Sequence, residues 1–151
     1  MTVTVAAPVA GTVTALTEVP DPVFSQLMMG PGIAIDPDCA CMEVLSPVDG
    51  VVVSLYPHAF IVESADGQAI LVHLGLDTIE LRGRGFKPRI GIGDVVKKGQ
   101  ILTTWDPTTV KQAGFCPIVP VIALQAAPPG PAELTAYGAA IRAGDPILTL
   151  D

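Results

Sequence analysis

The chain has no asparagine, only two histidines and three cysteines, and 5% of its 151 residues are aromatic. Without asparagine there is no N-glycosylation site. Three cysteines (Cys39, Cys41, Cys116) are an odd number, and Cys39-Ala40-Cys41 is neither a zinc nor a thioredoxin spacing, so they read as plain reduced thiols. No apolar run reaches the roughly 18–20 residues of a membrane span. The start, Met1-Thr2-Val3-Thr4-Val5, carries no basic segment and no signal-peptide core. The chain therefore reads as soluble and cytoplasmic, with no direct membrane insertion. Positive charge is also missing from one half. Residues 1–80 hold ten carboxylates and no Lys or Arg, whereas residues 81–151 hold all eight basic residues and five acidic ones. The halves stand at −10 and +3 for a net charge of −7. Nucleic acid is excluded as a partner, because its binding is driven by cationic contacts to phosphate. A basic protein steered in by the acidic half fits better.

What the chain does have is repetition. Ala7-Pro8-Val9-Ala10-Gly11-Thr12-Val13 recurs 39 residues later as Ser46-Pro47-Val48-Asp49-Gly50-Val51-Val52. Val96-Lys97-Lys98-Gly99-Gln100-Ile101-Leu102 matches Ile141-Arg142-Ala143-Gly144-Asp145-Pro146-Ile147 at an offset of 45. Each unit enters a run of alternating Val, Ile and Thr through Gly or Pro, as a half-buried strand requires. Fifteen glycines and fifteen prolines punctuate the chain and leave room for few helices. Residues 22–29, 107–113 and 131–136 could form short ones, each with proline near its start. Residues 125–131 read as a surface loop. The expectation is one all-β domain over residues 1–151, an antiparallel sandwich or open barrel with internal pseudo-symmetry and a few short helices.

Both histidines flank one hairpin signal. Asp66-Gly67 between apolar runs predicts a two-residue turn with Ala65 opposite Gln68 and Phe60 opposite His73. In that register His58, Phe60 and His73 share a face with Val62, Ala69 and Leu71, and the imidazoles are diagonal neighbours. A loop one residue longer would put the histidines on opposite faces.

Neutral imidazole is a good nucleophile near pH 7, because one ring nitrogen keeps its lone pair. The backbone after His73, through Gly75, can curl back and offer a carbonyl to Nδ1–H, leaving Nε2 free to attack. A second imidazole could then stabilise a transferring phosphoryl group without a metal, on an apolar surface where a partner can dock. Two alternatives stand beside this. The histidines could be ordinary core or rim residues. Or His58, His73 and Asp77 (His-x-x-x-Asp) could ligate catalytic zinc, with Glu63 or Glu80 standing in for the base such an enzyme needs.

The motifs Ser46-Pro47-Val48-Asp49-Gly50, Pro57-His58-Ala59-Phe60, Val72-His73-Leu74-Gly75-Leu76-Asp77-Thr78 and Gly83-Arg84-Gly85-Phe86, with Val19-Pro20-Asp21-Pro22-Val23-Phe24, Gly32-Ile33-Ala34-Ile35 and Val96-Lys97-Lys98-Gly99-Gln100, run over nearly the whole chain. Together they resemble the glucose-type IIA domain of the bacterial phosphoenolpyruvate-dependent sugar phosphotransferase system. The His-x-Gly-x-Asp-Thr element followed by Gly-x-Gly-Phe is the specific part; Pro-Val-x-Gly is shared with biotinyl and lipoyl carriers. A carrier lysine would sit in a tight hairpin, whereas Lys97-Lys98 lies beside Gly99. The resemblance implies an antiparallel sandwich of duplicated hybrid motifs and a phosphocarrier needing no cofactor or metal. His73 would accept phosphate at Nε2 from the histidine-containing phosphocarrier protein and pass it to a cysteine of a IIB domain of a sugar permease. His58 would stabilise the phosphoryl group, and Gly75 would supply the carbonyl that holds Nδ1 of His73. Asp21 and Asp77 would face an arginine of each partner. Val23 and Phe24 would line the apolar rim, to which the hairpin register adds Phe60 and Leu71. A regulatory module whose phosphorylation state selects its partner is a related reading, and a zinc-dependent hydrolase on a related fold a more distant one. Two family features are absent: two further residues before the first histidine, among them a threonine hydrogen-bonded into the site, since Leu55-Tyr56 runs straight into Pro57-His58, and a flexible N-terminal tail.

Overall fold

The computed structural model describes residues 2–38, 40–127 and 130–151. Cys39, and Pro128 and Pro129 of the expected loop, lie outside the described residues. The Val, Ile and Thr alternation resolves into short strands: β1 (Val3–Ala6), β2 (Gly11–Ala15), β3 (Gly32–Pro37), β4 (Met42–Leu45), β5 (Gly50–Tyr56), β6 (Ala59–Glu63), β7 (Ala69–His73), β8 (Phe86–Pro88), β9 (Val95–Val96), β10 (Ile101–Trp105), β11 (Val119–Ala123), β12 (Ala132–Glu133), β13 (Ala140–Ile141) and β14 (Pro146–Leu150). Two short helices, α1 (Pro22–Ser25) and α2 (Pro107–Gln112), each begin with proline after an aspartate cap. Asp21 accepts from the amide of Val23, and Asp106 from that of Thr108. The expected helix over 22–29 stops after one turn, where Leu27 turns left-handed at φ 57°. Residues 131–136 are not helical; β12 lies there, paired with β14. Among the described residues no helix is long and apolar enough to cross a membrane.

The strands form an antiparallel eight-stranded sheet in the order β13-β2-β3-β11-β7-β6-β5-β9, and two three-stranded sheets, β1-β14-β12 and β4-β10-β8. The larger sheet has two ends, so the sandwich does not close into a barrel. Its inner face (Val13, Ile33, Phe60, Val62, Val72, Val121) packs on Val5, Leu148, Val44, Leu102 and Trp105 of the smaller sheets in one buried cluster.

The sheet order reads the same from both ends: β13-β2-β3-β11 meets β9-β5-β6-β7 at the central pair, where Val121 lies opposite Val72. The sequence repeat is thus a structural duplication. The glycine that both repeats carry has a physical cause at Gly11 and Gly50, where an added Cβ would run into the carbonyl oxygen of Asp36 and of Glu63 respectively. The halves differ in one place. Between β2 and β3, residues 16–31 fold back and lay Leu16, Val19, Phe24 and Met29 over Ala34, Leu71 and Ile122 on the sheet's outer face. Between β5 and β6 there are only Pro57 and His58. One half of the outer face is roofed and the other is open.

Gly11→Ala and Gly50→Ala should each destabilise by about 2–3 kcal/mol, because strand backbone cannot step aside as a flexible side chain can. In a chain of this size that lowers the thermal midpoint by about 5–10 °C, which scanning calorimetry measures; an unchanged midpoint would contradict the close approach.

Candidate functional site

The hairpin between β6 and β7 is one residue off the expected register. Ala65, Asp66 and Gly67 form a three-residue loop. The Ser64 amide donates to the Gln68 carbonyl at 2.9 Å, the Ser64 hydroxyl accepts from the Gln68 amide at 3.2 Å, and Gly67 sits at φ 82°. A third loop residue in the left-handed region is the next commonest hairpin closure. Ala59 therefore lies opposite His73, and Phe60 opposite Val72. This slip corrects the face assignment. Phe60 and Val62 point into the buried core, and Phe60 is only 1% exposed, so its ring packs in the core although the residue also borders the groove that the histidines line. Ala59, Ile61, Leu71 and His73 occupy the outer face.

The histidines still meet, for a reason the strand alternation did not contain. His58 is not a strand residue. It is the second residue of the Pro57-His58 turn that joins β5 to β6, with Tyr56 paired to Ala59. Its carbonyl accepts from the Leu74 amide at 2.7 Å, which ties the turn to the end of β7. Released from strand alternation, its ring lies 5.1 Å from that of His73, edge-on at 74°. On the other side of His73 is Phe24, with ring centroids 5.3 Å apart. Nδ1–H of His73 donates to the Gly75 carbonyl at 2.5 Å, leaving Nε2 as the free nitrogen.

The two imidazoles line a groove of about 420 Å³. Of the residues read from the sequence, Asp21, Val23, Phe24, Phe60, Leu71 and Asp77 line it as well. Asp21 sits there as the cap of α1, and Asp77 in a left-handed conformation at φ 59°. Val23 is exposed, whereas Phe24 and Leu71 are nearly buried. Gly75 lies beneath the groove and acts through its carbonyl. Met29, Tyr56, Thr78 and Ile79 also line the groove and were not singled out as site residues. Thr78 is buried, and its hydroxyl donates to the Leu74 carbonyl at 2.9 Å, bracing the loop under His73. Its sequence signal was its place in the His-x-Gly-x-Asp-Thr motif; an exposed tyrosine at a strand end carries none. Among the described residues no three of His, Cys, Asp or Glu gather as a metal ion would require. Cys41 is exposed and Cys116 half-buried, both free.

Comparison with known proteins gives the family and the fold. Residues 3–128 match the family model described as phosphoenolpyruvate-dependent sugar phosphotransferase system, EIIA 1. The chain is 46% identical over 122 residues to a PTS system glucose-specific EIIA component of Oceanobacillus iheyensis, covering 80% of this chain and 73% of that protein. It is 44% identical over 117 residues to a PTS system glucosamine-specific EIICBA component of Bacillus subtilis, covering 76% of this chain but 18% of that longer protein. The glucose permease IIA structure from Mycoplasma capricolum superposes with a TM-score of 0.88 at 31% identity, over 100% of this chain and 97% of that one.

Both imidazoles are held below the ordinary histidine value of about 6.5. For His58 the main cause is burial, followed by the charge of His73. For His73 burial dominates, opposed by the bond to the Gly75 carbonyl and by the negative charges of Asp21 and Asp77. Both rings are therefore neutral at pH 7, as a nitrogen nucleophile requires. The folded chain disfavours the protonated rings more than the unfolded chain does. The unfolded state thus binds more protons as pH falls through about 6.5, and stability declines until the folded rings are protonated too. NMR titration should place both midpoints below about 6.5. Asp77→Asn should lower that of His73 further, since it removes a charge that favours imidazolium; a rise would contradict the electrostatic account.

Proposed function

The chain belongs to the phosphoenolpyruvate-dependent sugar phosphotransferase system EIIA 1 family, and we propose that it carries the phosphoryl group on Nε2 of His73 with His58 as its stabilising companion. The observation that supports this most directly is the pair of rings at 5.1 Å in an apolar groove, one of them tied through Nδ1 to a backbone carbonyl. The donor is the histidine-containing phosphocarrier protein and the acceptor a cysteine of a IIB domain of a sugar permease. Relatives named EIICBA carry a matching segment within a longer chain, which supports the permease partnership.

Acceptance is an in-line displacement. The Nε2 lone pair of His73 attacks phosphorus as the donor's nitrogen–phosphorus bond breaks. The positive charge that develops on the His73 ring is shared with the Gly75 carbonyl through Nδ1–H. His58 donates to a phosphoryl oxygen. The walls, formed by Phe24, Leu71, Met29 and Ile79, keep water from a labile phosphoramidate. Donation reverses the roles: an incoming thiolate attacks phosphorus and the electron pair returns to Nε2. Asp21 and Asp77 give the transaction its direction. They repel a phosphoryl dianion, so the charged carrier is poised to give the group up, and they accept an arginine of either partner while Val23 and Phe24 meet its apolar surface. Such a relay operates on the cytoplasmic side, and residues 1–151 act as one carrier unit.

Incubation with phosphoenolpyruvate, the first relay enzyme and the phosphocarrier protein should add one acid-labile, base-stable phosphoryl group by intact mass. His73→Ala should abolish it, and His58→Ala should accept the group yet fail to pass it to a IIB domain. Full labelling of His73→Ala would overturn the assignment.

A further inference from the structure

His58 has unusual support. It stands at the tip of a two-residue turn, and among the described residues neither of its ring nitrogens has a hydrogen bond, in contrast to the tethered Nδ1 of His73. Its orientation is therefore set by ring packing. The ring has two aromatic neighbours: His73 at 5.1 Å and 74°, and Tyr56 at 6.0 Å and a tilted 38°. Tyr56 is 59% exposed and pairs with Ala59 as the last residue of β5, so the turn itself delivers its ring beside the imidazole. On the phosphocarrier reading, we infer that Tyr56 is the positioning residue of His58.

Two effects follow from this tilted ring contact. First, the tyrosine ring closes off rotation of His58 away from His73, keeping its N–H aimed at the place a phosphoryl group on Nε2 would occupy. Second, a cation within about 6 Å of an aromatic ring is supported by the ring's quadrupole, and the Tyr56 centroid stands 6.0 Å from that of His58. His58 becomes imidazolium by taking a proton from solvent as the phosphoryl dianion arrives at its neighbour. The charged and titratable groups facing the pair are Asp21 from the start of α1, Asp77 from the loop after β7, and the two imidazoles themselves. Tyr56 adds support to the charged form without competing for the phosphoryl oxygens. An exposed aromatic here costs little to replace, so its variants fold.

The test compares Tyr56→Phe, Tyr56→Leu and Tyr56→Ala in single-turnover donation from phosphorylated His73 to a purified IIB domain, at saturating acceptor. Tyr56→Phe should stay within about twofold of the unsubstituted chain, while the Leu and Ala variants slow about three- to fivefold with unchanged half-saturation. Ring relaxation of His58 by NMR, in the unphosphorylated protein alone, should show it ordered with Tyr or Phe and mobile with Leu or Ala. A Phe variant as slow as Ala would assign the effect to the hydroxyl, and a loss seen only in half-saturation would make Tyr56 a docking residue; each overturns the inference. So does an ordered His58 ring in Tyr56→Ala, a result independent of phosphoryl transfer. Failure of the unsubstituted chain to take up phosphate would instead sink the phosphocarrier reading and leave the ring-order result standing.

Discussion

Everything at the site hangs on a backbone carbonyl that reaches back to its own neighbour's side chain. The Gly75 oxygen accepts from Nδ1 of His73 at 2.5 Å, two residues upstream. That geometry exists because Gly75 sits at φ 85°, with Thr78 packed so closely that a Cβ would lie 2.6 Å from its methyl group. Thr78 in turn bonds the Leu74 carbonyl, and the amide of Leu76 donates to the carbonyl of Cys116 at 2.8 Å. The loop is clamped from two sides, so the imidazole has one tautomer and one free nitrogen. In the proposed role a ring held this way loses little entropy on the way to reaction, and the burial that lowers its proton affinity keeps it unprotonated near neutrality.

The duplicated fold explains why there is one such site. Register places Ile122 of β11 where β7 has His73, since Val121 and Val72 face each other across the centre of the sheet. Ile122 is fully buried beneath residues 16–31, whereas His73 is partly open at the edge of that same roof. The long excursion after β2 roofs one half and supplies Phe24 and Asp21 to the other. The two-residue turn after β5 withholds a second roof and contributes His58 in its place. A duplicated fold thus becomes an asymmetric surface, apolar and bordered by the carboxylates of Asp21 and Asp77.

Much of this was legible in the chain. The repeats, punctuated by Gly11 and Gly50, foretold the paired halves because both glycines meet the same steric demand. The two histidines near one hairpin, with Gly75 following, foretold that the rings meet and that a carbonyl holds Nδ1 of His73. The register did not come through. Asp66-Gly67 is the pattern of a two-residue turn, yet Ser64 closes the loop with its own hydroxyl and Gly67 accommodates the third residue. That one-residue slip sends Phe60 to the core, and it would have parted the histidines had His58 been a strand residue. A second turn, at Pro57, rescued the pairing. Tyr56 escaped notice because a side chain at a strand end leaves no periodic trace.

The most direct test is to label the histidine ring nitrogens with 15N, phosphorylate the protein enzymatically and ask which nitrogen of His73 bears phosphorus. A tethered Nδ1–H requires phosphorus–nitrogen coupling at Nε2, with Nδ1 still protonated and still bonded to the Gly75 carbonyl. Phosphorus on Nδ1 would mean that the carbonyl tether is broken or irrelevant, and the account built on it would fall.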